Sequence, residues 1–306
     1  MLVFCHISCS GSAFLNVLGF LILVKSVPAM NNSILSRPIP STGELLPVIG
    51  IGTWKGFDVS TSGELTRLTE VLSVMSASGG TLIDSSPMYG RAEEAIGKIT
   101  SKMPQANSFF YATKVWTEGR EAGIQQMETS LKLMNRQTID LMQIHNLVDW
   151  KTHLNTLRQW KETGKVRYIG ITHYTDSMHA ELASIIRSTP LDFVQFNYSI
   201  TNRNAEKELL PLCQDRGVAT LINRPVGEGR LLQMVQNNRL PGWAADLGIS
   251  GWAQFFLKFL VSHPAVTCVI PGTGNPDHMK DNMLAGFAPM PDEAARERMA
   301  AYVLGL

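Results

Sequence analysis

The sequence predicts an α/β chain folded as a single-domain (β/α)8 TIM barrel. Three observations carry that reading. Beyond Pro47, short apolar, β-branched runs alternate with longer segments of helical period, which is the pattern of a parallel sheet with helices outside it. The runs number eight, the count that closes a barrel. An open doubly wound sheet would place Gly-x-Gly-x-x-Gly after its first strand, and Gly50-Ile51-Gly52-Thr53-Trp54-Lys55 lacks the third glycine.

Taken in order, the strands are expected at 48–53, 81–84, 109–114, 139–145, 166–172, 193–198, 218–223 and 266–270. Helical segments fall between them near 62–78, 91–99, 120–134, 151–163, 177–187 and 204–215. An irregular stretch at 228–247 precedes helices near 248–262 and 277–286, and a last helix is expected near 292–303. No linker, charge block or internal repeat interrupts this run, so one domain over 39–304 is expected.

Composition narrows the class of partner. Lys and Arg total 27 against 26 Asp and Glu, a formal charge of +1, so no global field steers the chain to nucleic acid or a charged membrane. A small-molecule partner is expected. Cysteines stand at Cys5, Cys9, Cys213 and Cys268, which is no disulfide framework, and the seven histidines show no metal-ligand spacing. No metal is expected.

Residues 1–29 are apolar and end in Val27-Pro28-Ala29, suited to signal-peptidase cleavage, yet the first basic residue, Lys25, follows the apolar core. The segment reads as a signal peptide or as mis-assigned sequence upstream of a start at Met30. The first reading implies a periplasmic or secreted protein, the second a cytoplasmic one. The strongest apolar stretch is about 12 residues, short of the ~20 that cross a bilayer as a helix, so no stable membrane span is expected.

Chemistry in such barrels sits at the carboxyl ends of the strands. The second strand runs out as Asp84-Ser85-Ser86-Pro87-Met88-Tyr89-Gly90, the third as Thr113-Lys114-Val115-Trp116 and the fourth as Gln143-Ile144-His145-Asn146. Singly, each has an ordinary reading: a turn-capping Asp, a Lys reaching for water, a satisfied structural His. Asp84 and Lys114 come from neighbouring strands after apolar runs, where a charge needs a partner, so together they point to a site.

In this order the chain resembles the aldo-keto reductases from about residue 39 to about 300. The resemblance rests on Gly50-x-Gly-Thr-Trp54, Asp84-Ser-Ser-x-x-Tyr89-Gly90, Thr113-Lys114, Gln143-Ile-His145, Gly170-Ile-Thr-His173, Gln195-x-Asn197 and Ile270-Pro-Gly-Thr273. It implies reduction of aldehydes or ketones to alcohols by hydride from a nicotinamide cofactor. Tyr89 would then be the proton donor, Lys114 the cation that lowers its pKa, Asp84 the anion fixing Lys114, and His145 the donor aiming the substrate oxygen. Trp54, Met88 and Trp116 would wall the substrate pocket.

The same resemblance assigns cofactor contacts. Gly52, Thr53 and Trp54 would lie along the cofactor, and Thr172, His173 and Gln195 would hold the nicotinamide carboxamide, His173 standing where many relatives have Asn. Asn223 replaces a stacking tyrosine. Arg224, Pro225, Gly227 and Arg230 would cradle the pyrophosphate. After the last strand, Gly272 and His278 stand where many relatives place a Lys and an Arg on the 2′-phosphate; Thr273, the helix near Asp277, Lys280 and Asn282 remain for that end. NADP(H) is the expected cofactor, with NAD(H) as the alternative. A second functional reading is a regulatory module that holds cofactor with little turnover. A barrel hydrolase is disfavoured, because no second carboxylate and no metal triad accompany Asp84 and His145.

Overall fold

The computed structural model describes residues 33–306; the expected leader over 1–29 lies outside the described residues. The first elements form a hairpin the sequence did not announce, β1 Ser36–Pro38 paired antiparallel with β2 Leu45–Pro47. Eight parallel strands follow, neighbours in space in the same order as in sequence: β3 Ile51–Gly52, β4 Leu82–Asp84, β5 Phe110–Val115, β6 Ile139–His145, β7 Val166–Thr172, β8 Phe193–Asn197, β9 Ala219–Asn223 and β10 Cys268–Val269. Parallel bridges from Ile49 to Val269 and from Gly52 to Gly272 join the first strand to the last. The expected (β/α)8 barrel is what forms.

The helices are α1 Ser62–Ala77, α2 Ala92–Thr100, α3 Arg120–Leu133, α4 Trp150–Glu162, α5 His179–Ser188 and α6 Leu209–Arg216, then the short α7 Arg230–Met234, and finally α8 Trp252–Val261, α9 Pro276–Leu284 and α10 Glu293–Leu304. Two departures from expectation have local causes. The helix expected from 204 begins only at Leu209, after a 3-10 turn over Asn204–Lys207. Pro211 has no N–H to give the Lys207 carbonyl and its ring crowds that group, so a regular helix cannot run through. Likewise β10, Cys268–Val269, is shorter than the expected 266–270, and Pro271 stops it from running on at its carboxyl end.

Strand periodicity decides what the barrel encloses. Side chains two residues apart share a face, and the inward set changes character along each strand. Leu82, Phe110, Ala112, Leu141, Tyr168, Phe193, Ala219 and Leu221 form an apolar floor with Ile39 and Leu46 of the hairpin. The next inward positions are Asp84, Lys114, Gln143, His145, Thr172, Gln195 and Asn223. The alternate residues, among them Ile83, Tyr111, Met142, Ile144, Ile171, Val194 and Ile222, face the helices. The hairpin covers the amino end of the barrel, and the polar layer lies toward the other end.

Candidate active site

The polar layer is built around one buried ion pair. Lys114 Nζ donates to Asp84 Oδ2 at 2.7 Å and to the Ser85 carbonyl at 2.6 Å, with neither charged side chain more than 2% exposed. Asp84 Oδ1 accepts from Gln143 Nε2 at 2.9 Å and Gln195 Nε2 at 3.1 Å. Gln195 Nε2 also reaches Gln143 Oε1 at 3.1 Å, and Gln195 Oε1 accepts weakly from Asn223 Nδ2 at 3.4 Å. One carboxylate thus ties together β4, β5, β6 and β8. A buried charge so supplied with donors is stable as an ion; stripped of its partner it is not.

Tyr89 and His145 stand beside that pair. Lys114 Nζ lies 5.2 Å from the centroid of the Tyr89 ring, and the His145 ring meets Tyr89 edge-on, centroids 5.8 Å apart at 87°. Burial alone would lower the Lys114 ammonium, but Asp84, and then Tyr89, hold it above its ordinary value. For Tyr89 the balance runs opposite to the sequence expectation. Burial raises the phenol and outweighs the downward pull of Lys114, Asp84 adds to the rise, and the net direction is upward. The His145 imidazole is pushed down to about 3 by burial, then by Lys114 and His173, and is therefore neutral. Its Nδ1 lies 2.9 Å from Ser86 Oγ.

Other loops on the same rim are strained. Lys55, Asn146, Leu147, Asp149, Arg224 and Glu228 all have positive φ, between 43° and 61°, a region non-glycine residues rarely occupy. They follow β3, β6 and β9. Strain concentrated on one rim is typical of sites where geometry is held at the cost of stability.

A cavity of about 690 Å³ opens at this rim. Asp84, Tyr89 and His145 line it, with Lys114 buried behind them. The expected pocket residues Trp54, Met88 and Trp116 form exposed walls. Of the expected cofactor contacts, Gly52, Thr53, Thr172 and Gln195 face the cavity, as do Asn223, Arg224, Pro225, Gly272 and Thr273. His173, Gly227, Arg230, His278 and Asn282 do not line it. His173 is turned into its own loop, where Nδ1 accepts the N–H groups of Tyr174 at 3.0 Å and Thr175 at 3.3 Å. Arg230 Nε instead donates to the Gly227 carbonyl at 3.0 Å.

Sequence reasoning missed Lys55, Tyr174 and Glu228, all of which line the cavity. Arg224 lies 4.3 Å over the Tyr174 ring and pairs with Glu228 at 2.7 Å. Tyr174 was recoverable as the exposed aromatic following the strand-end Thr172-His173. Glu228 carried no such signal. Cys213 and Cys268 are buried away from the cavity, their thiols pushed up by burial. Among the described residues, no three metal-ligating side chains converge and no helix is long and apolar enough to cross a membrane.

Comparison with known proteins adds an independent line. A family model described as "Aldo/keto reductase family" matches residues 48–301. Methylglyoxal reductase YeaE of Escherichia coli is 28% identical over 247 residues, covering 78% of this chain and 84% of that protein. The NADH-specific methylglyoxal reductase of the same species is 28% identical over 239 residues, or 68% of this chain and 72% of that one. In structure, the chain is similar to an aldo-keto reductase from Klebsiella pneumoniae in complex with NADPH. That likeness has a TM-score of 0.74 at 21% identity and covers 88% of this chain and 96% of the other.

Proposed function

The chain belongs to the aldo/keto reductase family, and from that premise we propose that it reduces the carbonyl of a small aldehyde or ketone at the rim cavity, using a nicotinamide cofactor, with Tyr89 as proton donor. The observation that carries the reading is the buried Lys114–Asp84 pair beside Tyr89, with neutral His145 edge-on to the same ring at the cavity wall.

The cavity residues fit such a cofactor. Asn223 Oδ1 is buried in the wall with no hydrogen-bond partner, an acceptor suited to the N–H of a nicotinamide carboxamide. Thr172 and Gln195 stand on the neighbouring strands for the same group. Arg224 supplies a guanidinium for the pyrophosphate, and Gly272 and Thr273 line the end toward α9, whose N-terminus favours phosphate. Bound there, a reduced nicotinamide supplies a hydride to the carbonyl carbon.

The protein's own part is to receive the charge that appears on oxygen. As the C=O π pair moves to oxygen, the Tyr89 O–H bond breaks and its proton passes to that oxygen, completing the alcohol. The phenolate left behind faces the Lys114 ammonium, which is held charged by Asp84 until solvent returns the proton. His145, neutral, donates a hydrogen bond that fixes the same oxygen. Trp54, Met88, Trp116 and Tyr174 offer an apolar, aromatic wall, and since two relatives are named for methylglyoxal reduction, methylglyoxal is the first substrate to try.

A fluorescence titration with NADPH and NADH, followed by cofactor consumption with methylglyoxal and a panel of aldehydes, tests the reading. Binding of both cofactors, with Kd values within about tenfold of each other, is expected, because an exposed cation on the 2′-phosphate contributes only about 1 kcal/mol and the strong pair is missing. Carbonyl-dependent consumption should follow. Failure to bind either cofactor would contradict the reading, and binding without turnover would favour a cofactor-holding module.

A further inference from the structure

Ser86 takes no part in the proposed proton relay, yet it is fully buried and touches it. Its Oγ lies 2.9 Å from His145 Nδ1, and the Met88 N–H points at the same oxygen from 3.4 Å. Among the described residues His145 Nδ1 is the one acceptor facing the Ser86 hydroxyl. A buried hydroxyl needs an acceptor for its proton, so Ser86 donates and Nδ1 accepts. A neutral imidazole carries one N–H, and an accepting Nδ1 leaves that proton on Nε2. Nε2 bonds to no described residue, while His145 itself lines the cavity. The reverse arrangement, with Nδ1–H donating to Ser86, would leave a buried hydroxyl proton unpaired and present a lone pair to the cavity in place of a donor.

We infer that Ser86 is a positioning residue that fixes the His145 tautomer, so that the ring offers Nε2–H, and only that, to an oxygen-bearing substrate. The local chain is shaped for it. Ser86 lies two residues past the end of β4, and the backbone turns there with the Tyr89 N–H bonded to the Ser86 carbonyl at 3.0 Å, so the residue that orients His145 and the residue that faces it across the ring are carried by one turn. Trp116 confines the imidazole on another side, centroids 6.3 Å apart. The ring is thus held by packing and its proton by one hydroxyl.

The inference rests on the carbonyl-reducing reading for its consequence, but its test does not. Side-chain 15N NMR of the histidine-labelled, cofactor-free protein should show His145 with Nε2 protonated and Nδ1 as a hydrogen-bonded acceptor. In Ser86→Ala the Nδ1 signal should move toward that of a free lone pair and the Nδ1–H form should become populated, whereas Ser86→Thr should keep the wild-type pattern. With methylglyoxal, kcat of Ser86→Ala should fall about tenfold with the cofactor Kd unchanged, and the substitution should add nothing in a His145→Gln background. Nδ1–H in the wild-type protein, or His145 nitrogen signals unmoved by Ser86→Ala, would overturn the assignment whether or not any variant turns over a carbonyl.

Discussion

Tyr89, the proposed proton donor, has a pKa governed by two opposed effects of similar origin. Burial disfavours phenolate and the Lys114 ammonium favours it, and here burial is the larger, leaving the phenol above its ordinary 10.0. His145 sits near 3 and stays uncharged at neutral pH. We therefore expect kcat/KM for reduction to be flat from about pH 5 to about pH 9 and to fall only above that, as the phenol loses its proton. A limb centred near pH 6 would mean a charged imidazole in the site. The stability linkage has a definite sign as well: the unfolded His145 takes a proton near 6.5 and the folded one near 3, so its contribution is complete above the first value and lost as pH falls toward the second. Removing the Lys114 cation should be costlier. Lys114→Met leaves Asp84 buried without its ion partner, and urea denaturation should show a loss of about 3–5 kcal/mol, part of it regained in Lys114→Met with Asp84→Asn. All four of these residues were legible in the sequence. Asp84, Lys114 and His145 end apolar strands where a polar residue stands out, and Tyr89 follows in the same loop as Asp84. The net direction of the Tyr89 shift was not legible, because it depends on burial that no spacing encodes.

Strands and helices followed from periodicity to within a few residues, since eight runs of one pattern reinforce one another. The hairpin β1–β2 did not, being two three-residue strands around Thr42 and Gly43 with no alternation long enough to read. Loops were the least legible scale. The place of His173 after Thr172 suggests a cofactor contact, yet its imidazole is committed to the Tyr174 and Thr175 N–H groups, a turn bond that competes with any outward role. After β9 the rim loop sets Arg224 against Glu228 at 2.7 Å, both about one-third exposed. A carboxylate lining a cavity proposed to take a dinucleotide diphosphate would oppose that ligand. Glu228→Gln should therefore tighten dinucleotide binding about two- to fivefold, the gain shrinking with added salt. Weaker binding in the variant would instead assign Glu228 the task of holding Arg224 in position.

At the scale of the molecule, the barrel divides labour between its ends. Inward positions near the strand starts are apolar and sealed by Ile39 and Leu46 of the hairpin, while those near the strand ends hold the ionic and amide network. That division lets the rim carry strain and buried charge without the floor giving way. At the proposed cofactor end, Gly272 and His278 offer no strong cation, and His278 is exposed at the first turn of α9, off the cavity. In the proposed reaction what unites the rim is the proton delivered to the substrate oxygen, and one substitution isolates it. Comparing wild type with Tyr89→Phe in methylglyoxal-dependent NADPH consumption, with cofactor Kd measured alongside, should show turnover falling by about 10²–10⁴-fold while Kd changes less than about twofold. Undiminished turnover in Tyr89→Phe would contradict the assignment of Tyr89 as the proton donor.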